Sequence, residues 1–380
     1  MPRRIRPIFT VVLSGALVFA ASAASGTGDN SWDKESVAVD ARAQEELAAT
    51  GDQNLFSEFA EEVIEAHPDA VIDHQWAEDH GELWVLNDTV KTVEADAKQR
   101  DVPVTVHGVS DGIPVTQRSD VELQALEAAA DSGVDAVSAR YEASENQVTV
   151  AVREKDSATK RQSVKKAITA DAHQSRSLAS ENDFDVAVEF DENLETPTED
   201  ADTRGGLAYS TCTGGFIGKR GSQWGIITSA HCTSKPAKYD GATTGATYTG
   251  KASNKDVRFT RLTGGTATNK FRNAPGSFRA LTGTGIINTG DTLYKYGKTT
   301  GYDSAKIASY QGCVTFASGN IWCDLYKTNK QVTSGGDSGG PWFIGFTGKG
   351  FTTGSSTSGS YITPQTSLSA ISGNVSIKTQ

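Results

Sequence analysis

The stretch Gly336-Asp337-Ser338-Gly339-Gly340-Pro341 decides how this chain is read. It sets a serine between glycines, with an acid directly before it. Glycine lets the backbone turn sharply and bring its N–H groups close to a reacting atom. A serine hydroxyl is a poor nucleophile until a neighbouring base takes its proton. Thr228-Ser229-Ala230-His231-Cys232 supplies a histidine at the end of the strand-like run Trp224-Gly225-Ile226-Ile227. The other five histidines (His67, His74, His80, His107 and His173) all lie in the N-terminal half. Between base and serine, Lys255-Asp256-Val257-Arg258-Phe259 offers a carboxylate. Asp240 is the alternative acid, but it precedes Gly241 in a turn-like Tyr-Asp-Gly. A single histidine is more often structural, and a serine among glycines is more often a loop residue. The three residue types in the order His, Asp, Ser are what point to nucleophilic catalysis.

A third stretch, Tyr296-Gly297-Lys298-Thr299-Thr300-Gly301, joins these two motifs. Together they make residues 201–380 resemble the chymotrypsin-fold serine proteases, and among them the secreted bacterial branch of the streptogrisins and alpha-lytic protease. The resemblance implies an all-β two-barrel catalytic domain preceded by an α+β pro-region. It implies Ser338 as nucleophile, His231 as general base and Asp256 as the acid that orients it. The N–H groups of Gly336 and Ser338 would form the oxyanion hole. Asp337 needs a partner, because a buried unpaired carboxylate is costly. Where the branch carries an arginine for that purpose, this chain has Lys295, which keeps the charge but loses the bidentate fork. A trypsin-like enzyme has an aspartate six residues before the nucleophile, and here that position is Val332. Thr333 and Ser334, with the edge Thr353-Gly354-Ser355, are expected to line a neutral pocket suited to a medium or large apolar side chain.

Four cysteines allow three pairings. The resemblance implies a bridge Cys212–Cys232 beside the histidine. Cys313–Cys323 is the preferred second bridge, a pairing that the resemblance does not itself supply. No Cys-x-x-Cys or histidine cluster supports a metal site instead, and no cofactor is expected.

The formal net charge of −11 hides a split. From Gly205 onward 18 Lys and Arg face 6 Asp and no Glu, a charge of +12, whereas residues 11–204 carry −26. Such asymmetry fits two units that attract each other. The basic residues form no dense run, so nucleic acid is not an expected partner. Arg3, Arg4 and Arg6 precede an apolar run from Ile8 to Ala21, and Ala21-Ser22-Ala23 fits a cleavage site, so residues 1–23 read as a secretory leader. The run is too short to span a bilayer comfortably.

Residues 24–200 read as an acidic α+β pro-region. Ser36 to Ala66 reads as one or two helices, with Leu47, Leu55, Phe59 and Val63 near helical spacing. Two strand–helix–strand units follow about 65 residues apart, one over 82–109 and one over 146–190. The acidic stretch 191–200 reads as an exposed linker. Expectation therefore settles on a secreted, extracellular, monomeric serine endopeptidase that is made as a zymogen and processes itself. Its partners would be protein or peptide substrates and its own pro-region in cis. An inactive protease-like binding protein is the competing class. A lipase or esterase would need the order Ser, Asp, His, which this chain does not have.

Overall fold

Two copies of one connection build the acidic half. The computed structural model describes residues 31–174, 184–195, 198–199, 207–264, 267–274 and 277–379. The leader expected at 1–23 and the junction expected at 200–201 lie outside them. Helix α1 (Ser31–Ala66) is interrupted at Thr50, whose backbone leaves the helical region (φ −134°). The hairpin β1 (Val71–Ala77) and β2 (His80–Leu86) leads through α2 (Val90–Gln99) to β3 (Val104–Val109), which lies parallel to β2. After α3 (Arg118–Asp131) the connection recurs. β4 (Ala136–Glu142) and β5 (Gln147–Val152) form a hairpin, and α4 (Ala158–Gln174) returns the chain to β6 (Asp185–Phe190), parallel to β5.

The strand–helix–strand repeat is therefore present, and each copy carries one further strand, β1 or β4, that the sequence pattern did not single out. β2 alternates buried and half-buried residues along its length, with Leu83 and Val85 inward. They meet Phe56, Phe59 and Val63 of α1 and Val93 and Ala97 of α2. Val148, Val150 and Val152 of β5 pack against α3 and α4 through Val121, Leu126, Val164 and Ile168.

The basic half is β structure apart from the short 3₁₀ turns Lys251–Ser253 and Gln365–Ala370. A short β7 (Thr198–Glu199) precedes it, and β8 (Ala208–Tyr209) pairs with β9 (Cys212–Thr213). The first barrel uses β10 (Ile217–Arg220), β11 (Gln223–Thr228), β12 (Lys238–Tyr239), β13 (Ala242–Thr249) and β14 (Arg258–Thr263). The hairpin β15 (Lys270–Ala274) and β16 (Ser277–Ala280) and the short β17 (Gly283–Thr284) lead onward. The second barrel holds β18 (Thr292–Gly297), β19 (Gly301–Thr315), β20 (Ile321–Thr328), β21 (Pro341–Ile344), β22 (Thr347–Ser356) and β23 (Gly359–Pro364). A last strand, β24 (Val375–Ile377), returns to the first barrel beside β10.

In the second barrel the hydrogen-bonded order is β18-β21-β22-β23-β20-β19, and β19 pairs back onto β18, so the sheet closes. Closure pairs the first and last strands of the sheet with each other, although β21 is shorter than β22 and leaves part of β22 open. An all-β two-barrel domain preceded by an α+β half is thus the observed architecture. Phe216, Ile227, Phe259, Phe343 and Phe351 form a core shared by the barrels, while Leu293, Ile307, Trp342 and Ile362 fill the second.

Strand addition joins the two halves. β19 runs beyond the barrel and pairs with β4 at Cys313–Ala139 and Val314–Ser138, which extends the barrel sheet into β4-β5-β6. β7 pairs antiparallel with β22, Glu199 opposite Gly354 and Thr198 opposite Ser355. The exposed-linker reading of 191–200 is corrected there. Residues 191–193 are exposed, but Thr198–Glu199 takes up the open edge of β22, whose unpaired backbone groups favour an added strand. From α1, buried Glu46 reaches Arg279 Nη1 (2.6 Å), accepts from Tyr302 Oη (2.8 Å) and accepts the Gly345 N–H (3.1 Å). The Trp76 N–H donates to Thr289 O (2.7 Å), and His74 Nδ1 lies 2.8 Å from Asn288 Oδ1.

Two buried titratable groups give this junction a pH dependence. Glu122 of α3 accepts the Tyr141 N–H (2.9 Å) and the Tyr310 hydroxyl of β19 (3.2 Å). Burial pushes its carboxyl up to about 8, against the pull of neighbouring Arg118. Burial likewise pushes the His74 imidazole down, while Asp73 opposes the change. An acid with a raised pKa contributes stability that is fully present below its unfolded value and is lost as pH rises through the folded one. His74, held neutral, has the opposite sign: its contribution falls away below pH ~6.5. Glu122→Gln should therefore gain stability relative to the unsubstituted chain between pH 5 and pH 8. Every tenfold difference in proton affinity between the folded and unfolded carboxyl is worth about 1.4 kcal/mol, which bounds the gain. Denaturant melts of the full chain at the two pH values check this, and an identical difference at both would refute it.

Candidate active site

His231 stands just beyond the end of β11, and Asp256 stands just before β14, the strand paired with β11. Adjacent strands therefore deliver the two side chains to one end of the first barrel. His231 Nδ1 lies 2.8 Å from Asp256 Oδ2, and Asp256 Oδ1 accepts the backbone N–H of His231 (3.0 Å). Asp256 is fully buried. Both oxygens of one carboxylate thus hold the histidine, one fixing the ring and the other the backbone. Asp240, the other candidate acid, sits exposed in a turn with a left-handed backbone (φ 47°).

Ser338 comes from the second barrel, in the turn before β21. One carbonyl ties the two barrels together here: Thr352 O accepts both Ser229 Oγ (2.7 Å) and the Gly339 N–H (2.7 Å). The residue two before the histidine and the residue after the serine therefore meet on a single acceptor. Thr213 adds a second tie, donating its N–H to Ser338 O (2.9 Å) and its hydroxyl to Gly336 O (2.7 Å). The bridge Cys212–Cys232 links the neighbours of Thr213 and His231, and Cys313–Cys323 is the second bridge, both as expected. Cys212, His231 and Cys232 place three ligand-type atoms within 4.8 Å of one another, but the two sulfurs are bonded together and offer no thiolate. Gly336 has φ +96° and Gly339 φ +80°, where side-chain-bearing residues are strained, and a Cβ on Gly339 would lie 1.9 Å from Thr228 Oγ1.

Asp337 is buried and heavily bonded. Its Oδ1 accepts the N–H groups of Thr299 (2.8 Å) and Thr300 (3.2 Å), and its Oδ2 accepts the Ser334 N–H (3.0 Å) and the Thr300 hydroxyl (2.5 Å). Lys295, also fully buried, places Nζ 3.8 Å from Oδ2 and reaches Thr300 Oγ1 as well. Thr300 thus stands between the two charges, which a compact ammonium permits.

The expected pocket residues separate by role. Val332 and Thr333 are buried, and their N–H groups both donate to Ser360 Oγ (3.0 and 3.1 Å). Thr333 Oγ1 lies 2.8 Å from the same hydroxyl. Ser334 is exposed. Gly354 and Ser355 form the edge that β7 occupies. Thr353 turns its hydroxyl into the barrel, onto Thr363 Oγ1 (2.6 Å), so its backbone is what it offers at that edge. Ser360, Thr352, Ser229 and Thr213 escaped sequence reasoning; only Ser229, inside the histidine motif, had a local cue.

No family model matches the chain. Serine protease 2 of Streptomyces fradiae is 38% identical over 81 residues, 21% of this chain and 46% of that protein. Streptogrisin-A of Streptomyces griseus is 30% identical over 159 residues, 41% of this chain and 51% of that protein. The chain is similar to bacterial serine proteases of the streptogrisin kind. It spans about half the length of these curated relatives. Among solved structures, Thermobifida fusca protease A is 26% identical, with 49% of this chain and 100% of that chain covered and a TM-score of 0.38. A Nocardiopsis protease is also 26% identical, with 47% and 100% covered and a TM-score of 0.40.

Lys295→Met tests the charge pairing under the serine turn. Removing one partner of a buried ion pair costs about 3–5 kcal/mol, because the other is left uncompensated. A loss of that size is expected in the unfolding free energy of the full chain. A loss below about 1 kcal/mol, the worth of an exposed pair, would mean that the N–H and hydroxyl donors alone hold Asp337.

Proposed function

We propose that this chain is a secreted serine endopeptidase, made as a pro-form whose acidic N-terminal half docks on the basic half and inhibits it until self-cleavage near residue 200. The observation that carries the reading is the 2.8 Å contact of His231 Nδ1 with fully buried Asp256, tied to Ser338 through the shared Thr352 carbonyl. In this mechanism the Ser338 hydroxyl attacks the scissile carbonyl carbon while His231 Nε2 takes its proton. The N–H groups of Gly336 and Ser338 stabilise the oxyanion. Collapse breaks the C–N bond, and His231 returns the proton to the leaving amine. Water then repeats the sequence on the acyl-enzyme, releasing the acid and restoring Ser338. Asp256 holds the ring tautomer and favours the imidazolium.

Substrate recognition follows from β22. An extended peptide adding antiparallel along Gly354–Ser355 gains backbone hydrogen bonds irrespective of its sequence. β7 already lies on that edge, a few positions before the proposed cleavage, so the pro-form blocks its own substrate track. Val332, at the position where a trypsin-like enzyme carries an aspartate, is apolar, and Thr333 and Ser360 behind it are neutral, which supports a preference for apolar side chains.

Ser338→Ala should lower peptidase activity by about 10⁴-fold or more and leave the chain uncleaved when expressed without other proteases. Normal maturation of that variant would refute self-processing. A sulfonyl fluoride should label Ser338 stoichiometrically; a folded, processed chain with neither labelling nor activity would instead be a binding protein. The opposite charges of the halves should also show in kinetics. Added as a separate fragment, the acidic half should associate more slowly as salt rises, since exposed charges are screened beyond ~8–10 Å. An association rate indifferent to salt would remove the steering role.

A further inference from the structure

We propose that Lys255 and Asp324 are positioning residues for the His231–Asp256 pair, forming a latch from the second barrel onto the loop that carries Asp256; this rests on the peptidase reading above. Within the loop, the Gly250 N–H donates to Val257 O (2.8 Å) and the Lys255 N–H to Gly250 O (3.1 Å). Asn254 turns through the left-handed region (φ 51°). A further hold comes from β20. The Cys323 N–H donates to Asn254 O (2.7 Å), and Lys255 Nζ donates to Asp324 Oδ2 (2.5 Å). Lys255 and Asp324 keep only 12% and 26% of their side-chain surface exposed, so water screens them less than a surface pair.

The same three residues of β20 reach both partners of the catalytic pair. Trp322 packs in one cluster with Ala230, the neighbour of His231. Cys323 and Asp324 hold Asn254 and Lys255, the two residues before Asp256. The geometry of two first-barrel side chains is thus referenced to one second-barrel strand. β20 is itself stiffened at this point. Its ladder with β19 is irregular between Tyr310 and Gly312 and again between Gly312 and Val314, and the Cys313–Cys323 bridge crosses that gap. Beyond Asp324 lie Tyr310, whose hydroxyl is 3.4 Å from Oδ1, and Glu122 and Arg118 of the acidic half. A misplacement of 1 Å far from the reacting atoms can cost ~100-fold in rate, so a latch of this kind acts on kcat.

The test expresses the full chain as Asp324→Asn, Lys255→Gln and Asp324→Glu and assays the peptidase each yields. Both Asp324→Asn and Lys255→Gln are expected to lower kcat roughly 5- to 50-fold with KM within about twofold. Both should also move the acid limb of the kcat/KM profile to lower pH, because a loosened Asp256 stabilises the His231 imidazolium less. Asp324→Glu, which keeps the charge and the bond, should retain kcat within about threefold. A through-space charge effect would instead move the acid limb down for Asp324→Asn and up for Lys255→Gln. Limbs moving in opposite directions, an unchanged kcat, or equal losses for Asp324→Glu and Asp324→Asn would overturn the latch. Absence of activity and of Ser338 labelling in the unsubstituted chain would overturn the peptidase reading instead.

Discussion

A carboxylate with no exposure to water must find its whole set of partners within the protein, and Asp337 does so by gathering three segments. The N–H groups of Thr299 and Thr300 come from the turn between β18 and β19, the Ser334 N–H comes from the loop between β20 and β21, and Lys295 comes from the middle of β18. Leaving such a group unpaired would cost several kcal/mol, so the turn carrying Ser338 has one arrangement in which its neighbour is tolerable. The Gly-Lys-Thr-Thr-Gly turn and the glycines around the serine are conditions of that arrangement. Gly297 is among them, since a Cβ there would lie 2.2 Å from Asp337 Oδ1.

The charge split between the halves works differently from what a count of −26 against +12 suggests. Among the described residues, one ion pair within 4.0 Å crosses the junction, Glu46 with Arg279. The contact also includes strand pairing at β4–β19 and β7–β22, apolar packing of the Cys313–Cys323 bridge into the core of the acidic half, and neutral hydrogen bonds around Asn288. Close contact rather than net charge dominates the junction in the structure. In the buried pair the Glu46 carboxylate is shared among Arg279, Tyr302 and Gly345.

What could be read from the sequence lay in short segments. The histidine and serine motifs are local, and the repeat units each span a few dozen residues. What could not be read was pairing at a distance. Ser360 beneath Val332 and Thr333 is an ordinary serine in a Ser- and Thr-rich strand until the barrel closes. Glu46 looks like one acid of many on a solvated helix. Thr198–Glu199 has linker composition, and only the open edge of β22 makes it a strand. Lys295 could be named because the resemblance marked its position, but the insertion of Thr300 between it and Asp337 is a matter of side-chain length. α3 went unnoticed because its buried face includes Arg118 and Glu122, which break the apolar period that marks a helix.

The pairing of β4 with β19 joins residues roughly 170 positions apart, the kind of non-local contact that slows folding because chain entropy is lost before contacts repay it. The acidic half has the reverse character, with each hairpin and crossover closing over a short span. Domains made early in synthesis fold as units before the rest of the chain exists. A chain made from its N-terminus would therefore have β4 in place before β19 is translated. The hairpin that carries Cys313 and Cys323 then needs only to add to a standing edge, rather than to find its register within a barrel not yet closed.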